Sequence, residues 1–170
     1  KKIPKRIKLI NCVGGGSSAY GFWSEFIDYE KKQIELIGVE AGGPKNSEFH
    51  AAPLTFGAKL GILHGAAAYV CQNSEGQINK TESISAGLDY PGVSPIHCYL
   101  KDAKRARYTS VTDEDALKAY KLVTKLERIK PSLEPSHAFA EAIKIAPKLS
   151  RDTIIIVNSC GDAKKDRDIL

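Results

Sequence analysis

The sequence predicts an open α/β fold, a mostly parallel, twisted sheet with helices on both faces. Three observations predict it. Short β-prone runs alternate with helix-length stretches, the first two runs are separated by a crossover long enough for a helix, and strand ends run into Gly- or Ser-rich turns. Ligands of such sheets bind at the carboxyl ends of the strands, so those turns are the places to look for a site.

Taken in order, Ile7 to Val13 is a short β-prone run, and Gly14-Gly15-Gly16-Ser17-Ser18 breaks it before a helical stretch to Glu30. Ile34 to Val39 is the second run, ending at Glu40 and closed by Ala41-Gly42-Gly43-Pro44, which makes a parallel βαβ unit. Ala66 to Gln72 and Gln77 to Ser85, separated by the turn formers Asn73-Ser74-Glu75-Gly76, predict an excursion hairpin. Gly87 to Pro95 reads as a loop pinned around Asp89-Tyr90-Pro91-Gly92. Tyr108 to Val111 is a short strand, and Thr112 caps the next helix in a capping-box pattern with Asp115. Ala116, Ala119, Tyr120, Val123 and Leu126 recur at helical spacing and predict one buried stripe. Pro135 suits a first helical turn, and Ala138, Phe139, Ala142, Ile143 and Ala146 form the apolar face that follows, up to Pro147. Thr153 to Asn158 is the last strand, ending in Ser159-Cys160-Gly161.

Composition sets bounds on function. With 170 residues, 42% apolar and 26% charged, the chain can form one domain burying roughly 70% of its unfolded surface. Its longest apolar stretches, such as Gly65 to Cys71 and Ile154 to Val157, fall far short of the ~18 to 20 residues a bilayer requires, and no signal peptide is visible. The net charge of +5 is supplied by Lys1, Lys2, Lys5, Arg6 and Lys8, leaving a neutral body of 20 basic and 20 acidic residues, which argues against a nucleic-acid face. The run Lys101-Asp102-Ala103-Lys104-Arg105-Ala106-Arg107 reads as a solvated loop. Cysteines 12, 71, 98 and 160 are widely spaced, so neither zinc nor a disulfide framework is expected, and a reducing cytoplasmic setting fits. The absence of methionine and an end soon after the last strand are the pattern expected of a segment of a longer protein.

Three loops carry chemistry. In Cys12-Val13-Gly14-Gly15-Gly16-Ser17-Ser18-Ala19 the glycines let backbone N–H groups close on an anion, and two hydroxyls add donors, which makes a phosphate cradle. It lacks the Lys-Ser/Thr pair of a P-loop. Gly14-x-Gly16-x-x-Ala19 with Glu40 also fits a dinucleotide fingerprint, and a degraded nucleophile elbow with His137 as base and a glycine turn that only packs a helix are the remaining readings. Adjacent serines suit a terminal phosphate monoester better than a bridging pyrophosphate. The second loop, Leu133-Glu134-Pro135-Ser136-His137, puts a carboxylate at a helix start, where it can be simply a dipole partner. The third, Asn158-Ser159-Cys160-Gly161, puts a thiol at the mouth of the sheet, within reach of a ring nitrogen. His50, His64 and His97 read as structural or pocket-lining.

Cys-Val-Gly-Gly-Gly-Ser (12–17), Ile-Gly-Val-Glu (37–40), Ser-Ile-Ser-Ala-Gly-Leu-Asp-Tyr-Pro-Gly-Val (83–93), Ser-Val-Thr-Asp-Glu-Asp-Ala-Leu (110–117) and Leu-Glu-x-Ser-His-Ala (133–138) occur in this order. On these segments the chain resembles the β subunit of tryptophan synthase, a fold type II pyridoxal-phosphate enzyme, over essentially all 170 residues. The 83–93 string separates that family from cysteine and threonine synthases. The resemblance implies a C-terminal portion of the fold, incomplete by itself, with residues 1–8 as a basic, linker-like start. It implies that Gly14, Gly15, Gly16, Ser17 and Ser18 hold the cofactor phosphate, with Ser18 where the family commonly has asparagine. Glu134 would lie beside the cofactor ring, and Cys160 would stand where a serine faces the pyridine nitrogen. Both groups are neutral and can donate or accept, so the ring can stay unprotonated. Asp89 would meet the hydroxyl of L-serine. Backbone carbonyls of Gly14, Tyr90 and Gly92 would line a sodium or potassium site, and Leu63 and His64 would replace aromatics of the indole tunnel. The implied partners are L-serine, indole, an α subunit and a second β subunit. No lysine here lies in the family's His-Lys context, so the Schiff-base lysine is absent and the segment alone is expected to be inactive. Two alternatives stay open: a dinucleotide-binding Rossmann-type domain, and a non-catalytic truncated module that dimerises through sheet edges.

Overall fold

The computed structural model describes residues 6–169. Strand β1 (Arg6–Cys12) is followed by helix α1 (Ser17–Trp23), β2 (Ile34–Ala41), a hairpin of β3 (Lys59–Leu63) and β4 (Ala66–Val70), α2 (Pro95–Asp102), β5 (Ala106–Val111), α3 (Asp113–Glu127), α4 (Leu133–Ile145) and β6 (Thr153–Val157). The main sheet has the order β5-β2-β1-β6 with every pair parallel, in registers such as Leu9 opposite Leu36 and Leu9 opposite Ile156. This is the open parallel sheet expected from the alternation of elements.

Alternation within β1 explains why both faces are covered. Leu9 packs with Val13, Ala19, Trp23, Leu36 and Leu100 on the side of α1 and α2. Ile10 packs with Ile37, Val39, Ala116 and Ala138 on the side of α3 and α4. Neighbouring residues of one strand point to opposite faces, so a continuous apolar run serves two cores. Leaving β1, the chain adds β2 and β5 on one side and β6 on the other. The point where the order reverses lies between β1 and β6, and there the crevice of an open sheet forms.

Several elements differ from the sequence expectation. The hairpin forms one element earlier: β4 pairs with β3, not with residues 77–85, which contribute only an isolated bridge from Ile78 to Gln72. Its two-residue turn is His64-Gly65, with φ of 50° and 78°, the doubly left-handed conformation that matches strand twist. Helix α2 was not anticipated, although Ser94 as N-cap with Pro95 at the first position is a helix-start pattern. Helix α1 ends at Trp23, well short of Glu30. The α3 stripe stops early: Ala116 and Ala119 are buried, whereas Leu126 is exposed. In α4 the buried face is Glu134, His137, Ala138 and Glu141, while Ile143 is exposed. The expected linker over 1–8 is corrected as well, because Arg6 to Lys8 lie within β1 and the Lys8 ammonium pairs with the Glu35 carboxylate. Lys1, Lys2 and Lys5 lie outside the described residues.

The basic run 101–107 is not a solvated loop. Lys101 donates to the Leu54 carbonyl at 2.6 Å, Arg105 donates to the carbonyls of Phe26, Ile27 and Ile34, and Arg107 pairs with Glu35 and Glu141. These cations are consumed in joining β5 and α2 to the rest of the fold.

Candidate functional site at the β1–β6 crevice

The glycine loop leaves β1 at the reversal point, and its three glycines are needed for different reasons. Gly16 has φ +98°, and a Cβ there would lie 2.2 Å from the His97 ring. Gly14 packs against the Gly87 carbonyl, which a Cβ would approach to 2.5 Å. A Cβ on Gly15, by contrast, meets nothing within 4 Å. Two of the glycines therefore hold the turn against its neighbours, and the third leaves space open. Ser17 and Ser18 open α1 and are exposed, and N–H groups in a first helical turn have no intrahelical acceptor. The Ser18 hydroxyl accepts from the amides of Asn11 and Asn158, both at 3.3 Å, which ties α1 to β1 and to the loop after β6.

The opposite wall comes from the start of α4 and the loop after β6. The Asp166 carboxylate accepts from Leu133 N–H at 2.8 Å, and the Ser132 hydroxyl donates to the Cys160 carbonyl at 3.0 Å, so this loop is fastened to the helix start. Glu134 Oε1 accepts from Gly87 N–H at 3.0 Å and pairs with the Lys165 ammonium, while Oε2 is buried with no partner among the described residues. Burial works to raise the Glu134 carboxyl, but the Lys165 ammonium, the Ser132 hydroxyl and its own backbone N–H together outweigh it and leave the group below its ordinary value. Cys160 Sγ lies 3.5 Å from Cys12 Sγ. The hydrogen bond between them, opposed by burial, brings the Cys160 thiol down to about 6, and the same bond, with burial, raises Cys12.

These residues enclose a cleft of about 260 Å³ lined by Gly14, Gly15, Gly16, Ser17, Ser18, Glu134 and Cys160, together with Lys165. All seven residues assigned to cofactor binding in the sequence thus meet in one place. Lys165 was missed. Its signal was its position five residues after Cys160, in a loop already singled out for its thiol.

Other expected site residues lie elsewhere. Asp89 is exposed, at the end of a turn in which its N–H bonds the Ser85 carbonyl at 3.1 Å, and it does not line the cleft. Tyr90 lines a neighbouring pocket of about 250 Å³ with Gly15, Leu63 and His64, and its hydroxyl lies 2.9 Å from His64 Nδ1. Gly92 is buried and bridges Val70. Among the described residues, only Gly15 belongs to both cavities.

Two of the rival readings lose their residues. Glu40, the acid required of a dinucleotide fingerprint, is 1% exposed and accepts from Leu54 N–H, Thr55 N–H and the Thr55 hydroxyl, so no ribose reaches it. His137, the base required of a nucleophile elbow, is fully buried, with Nδ1 held 2.8 Å from the Leu133 carbonyl of its own helix.

No protein-family model matches the chain. A tryptophan synthase beta chain from Chromobacterium violaceum is 49% identical over 159 residues, covering 93% of this chain and 39% of that protein. By sequence, the chain is similar to that tryptophan synthase beta chain over nearly all of its own length. It spans about two-fifths of that relative's length. Among solved structures, a fungal L-serine ammonia-lyase from Rhizomucor miehei superposes with a TM-score of 0.62 at 18% identity, covering 98% of this chain and 50% of that one. The likeness to the tryptophan synthase beta chain thus extends over 93% of this chain, and the open α/β fold is shared with the ammonia-lyase.

Proposed function

We propose that residues 1–170 contribute the C-terminal portion of a tryptophan synthase β chain, a pyridoxal-phosphate-dependent lyase that condenses L-serine with indole to give L-tryptophan. The observation that carries the reading is the meeting of the glycine loop, Glu134 and Cys160 in one cleft at the β1–β6 reversal. The residues fit the cofactor. Gly15 leaves open space beside two exposed hydroxyls, as a phosphate monoester needs, and Glu134 Oε2 is a buried acceptor without a donor among the described residues.

In this reading Gly14, Gly15, Gly16, Ser17 and Ser18 bind the phosphate, and Cys160 contacts the ring nitrogen. Glu134 lies beside the ring, kept ionised by Lys165. When bound, pyridoxal phosphate supplies the electron sink that lets L-serine lose its hydroxyl and indole take its place. Asp89 would meet the serine hydroxyl, the carbonyls of Gly14, Tyr90 and Gly92 would hold a sodium or potassium ion, and the Leu63–His64 pocket would be on the indole side. The α subunit and a second β subunit are the partners, in the cytoplasm. The segment itself has no lysine in the family's His-Lys context and is inactive alone.

The test uses pyridoxine 5′-phosphate, which has no aldehyde and so cannot react with surface lysines. Calorimetry should give saturable binding that Ser17→Ala and Ser18→Ala together weaken and that inorganic phosphate competes away. Saturable binding of NAD in its place, or no binding of either, overturns the proposal.

A further inference from the structure

Two thiols meet at the floor of the cleft. Cys12 is the last residue of β1, and Cys160 follows β6, the parallel neighbour of β1. Asn158 N–H continues the ladder onto the Ile10 carbonyl at 3.1 Å, so the chain brings the two residues side by side just beyond the last pairing. Their sulfurs are 3.5 Å apart, and a disulfide needs a closure of about 1.5 Å from there. Cys160 lies between the exposed Ser159 and Gly161, with its carbonyl held by the Ser132 hydroxyl.

The two thiols are unequal. Both line the cleft, but Cys160 is half-buried, whereas Cys12 is 4% exposed and packed with Ala41, Ala51 and Leu88. Either sulfur can donate at this distance, and the contact lowers Cys160 and raises Cys12, so the thiolate forms at Cys160 with the Cys12 S–H as its donor. The charged groups nearby, Glu134 and Lys165, are engaged with each other. The remaining cysteines stand apart: Cys71 is near His50 and Cys98 is bonded to Tyr69 N–H.

We propose that Cys12 and Cys160 are a peroxide-sensitive pair that closes to a reversible disulfide, with Cys160 attacking the oxidant and Cys12 resolving. In the first step the Cys160 thiolate attacks one oxygen of a hydroperoxide. An S–O bond forms and the O–O bond breaks, so sulfur is oxidised to the sulfenic acid and the peroxide is reduced, leaving as hydroxide when the oxidant is hydrogen peroxide. In the second step Cys12 sulfur attacks Cys160 sulfur. The S–S bond forms, the S–O bond breaks, and the hydroxyl leaves with the Cys12 proton as water. A resolving thiol in contact also protects the sulfenic acid from further oxidation. The cleft exchanges its thiolate for a neutral bridge with no S–H to donate.

The test is peptide mapping of the whole chain after brief exposure to a slight excess of hydrogen peroxide and alkylation of the remaining thiols. The expected result is a Cys12–Cys160-linked peptide from monomeric protein, reversed by dithiothreitol, with Cys71 and Cys98 alkylated. Cys12→Ser should leave a Cys160 sulfenic acid that dimedone traps. Recovery of Cys160 from the unsubstituted protein as free thiol or sulfinic acid with Cys12 alkylated, or a linkage found only in covalent dimers, overturns the proposal. That map decides the matter even if the variant does not fold, and it is independent of whether the cleft binds a B6 phosphate.

Discussion

Lys165 and Glu134 form an ion pair across the mouth of the cleft, on the same carboxylate oxygen that accepts the Gly87 N–H. A Cβ on Gly87 would lie 2.3 Å from that oxygen. The loop after β6, the start of α4 and the 83–93 turn therefore share one contact. Lys165→Met leaves the Glu134 carboxylate buried without its cation. Removing one member of a buried pair costs about 3–5 kcal/mol, and the 41% exposure of the lysine side chain lowers the expectation here to about 1–2 kcal/mol. Urea denaturation should show it, with the loss shrinking at low pH. Glu134 is held below its ordinary value, so the stability it contributes is present above the unfolded value of about 4.3 and lost as pH falls through the folded one.

The three glycines of the loop should separate in mutagenesis. Gly16→Ala puts a Cβ at a left-handed residue and into the His97 ring, and strain with overpacking should cost about 2–4 kcal/mol. Gly15→Ala enters open space, so its stability should stay within about 0.5 kcal/mol of the parent. Its effect should fall on ligand: pyridoxine 5′-phosphate Kd rising about tenfold, ~1.4 kcal/mol. Thermal melts and calorimetry on both variants check this, and equal destabilisation would mean that Gly15 is merely structural.

Legibility tracked how local each determinant is. The β1 and β2 strands, the Thr112 cap, which accepts from Asp115 N–H at 3.4 Å, and the glycine turn between β1 and α1 were readable because neighbouring residues specify them. The hairpin register was not: Asn73 does form a turn, its carbonyl accepting from Gly76 N–H at 3.2 Å, but β4 takes its partner from the preceding His64-Gly65 turn. Periodicity misplaced the α4 face because Glu134, His137 and Glu141 are buried by specific partners that no hydropathy pattern encodes. Arg105 shows the same limit, as its carbonyl acceptors lie more than 70 residues upstream.

His97 joins α2 to the glycine loop and to β5. Its Nε2 lies 2.8 Å from the Gly16 carbonyl, which can only accept, so Nε2 carries the proton and Nδ1 accepts from the Tyr108 hydroxyl at 2.8 Å. Tyr108→Phe strands Nδ1 in the core and should cost about 1–3 kcal/mol. Burial holds His97 below its ordinary value. The unfolded chain then takes up the proton first, and stability should fall as pH drops below about 6.5. Unfolding midpoints across that range, in parent and variant, measure both effects.

Glu40 should impose the opposite slope. Burial pushes its carboxyl up to about 7, against the pull of the Thr55 hydroxyl at 2.6 Å and the N–H groups of Leu54 and Thr55. The folded state holds this proton more tightly than the unfolded chain, whose value is about 4.3. Stability from this group is therefore fully present below about 4.3, declines as pH rises towards about 7, and is constant beyond, a loss of at most about 4 kcal/mol. His50, His97 and His137, all held below their ordinary value, act with the other sign over part of the same range, so the parent curve alone does not isolate Glu40. Glu40→Gln has no proton to exchange at that position, and the difference between the two stability curves should change between about 4.3 and 7 and be flat outside. A difference flat throughout would mean that the three donors keep the carboxylate ionised despite its burial.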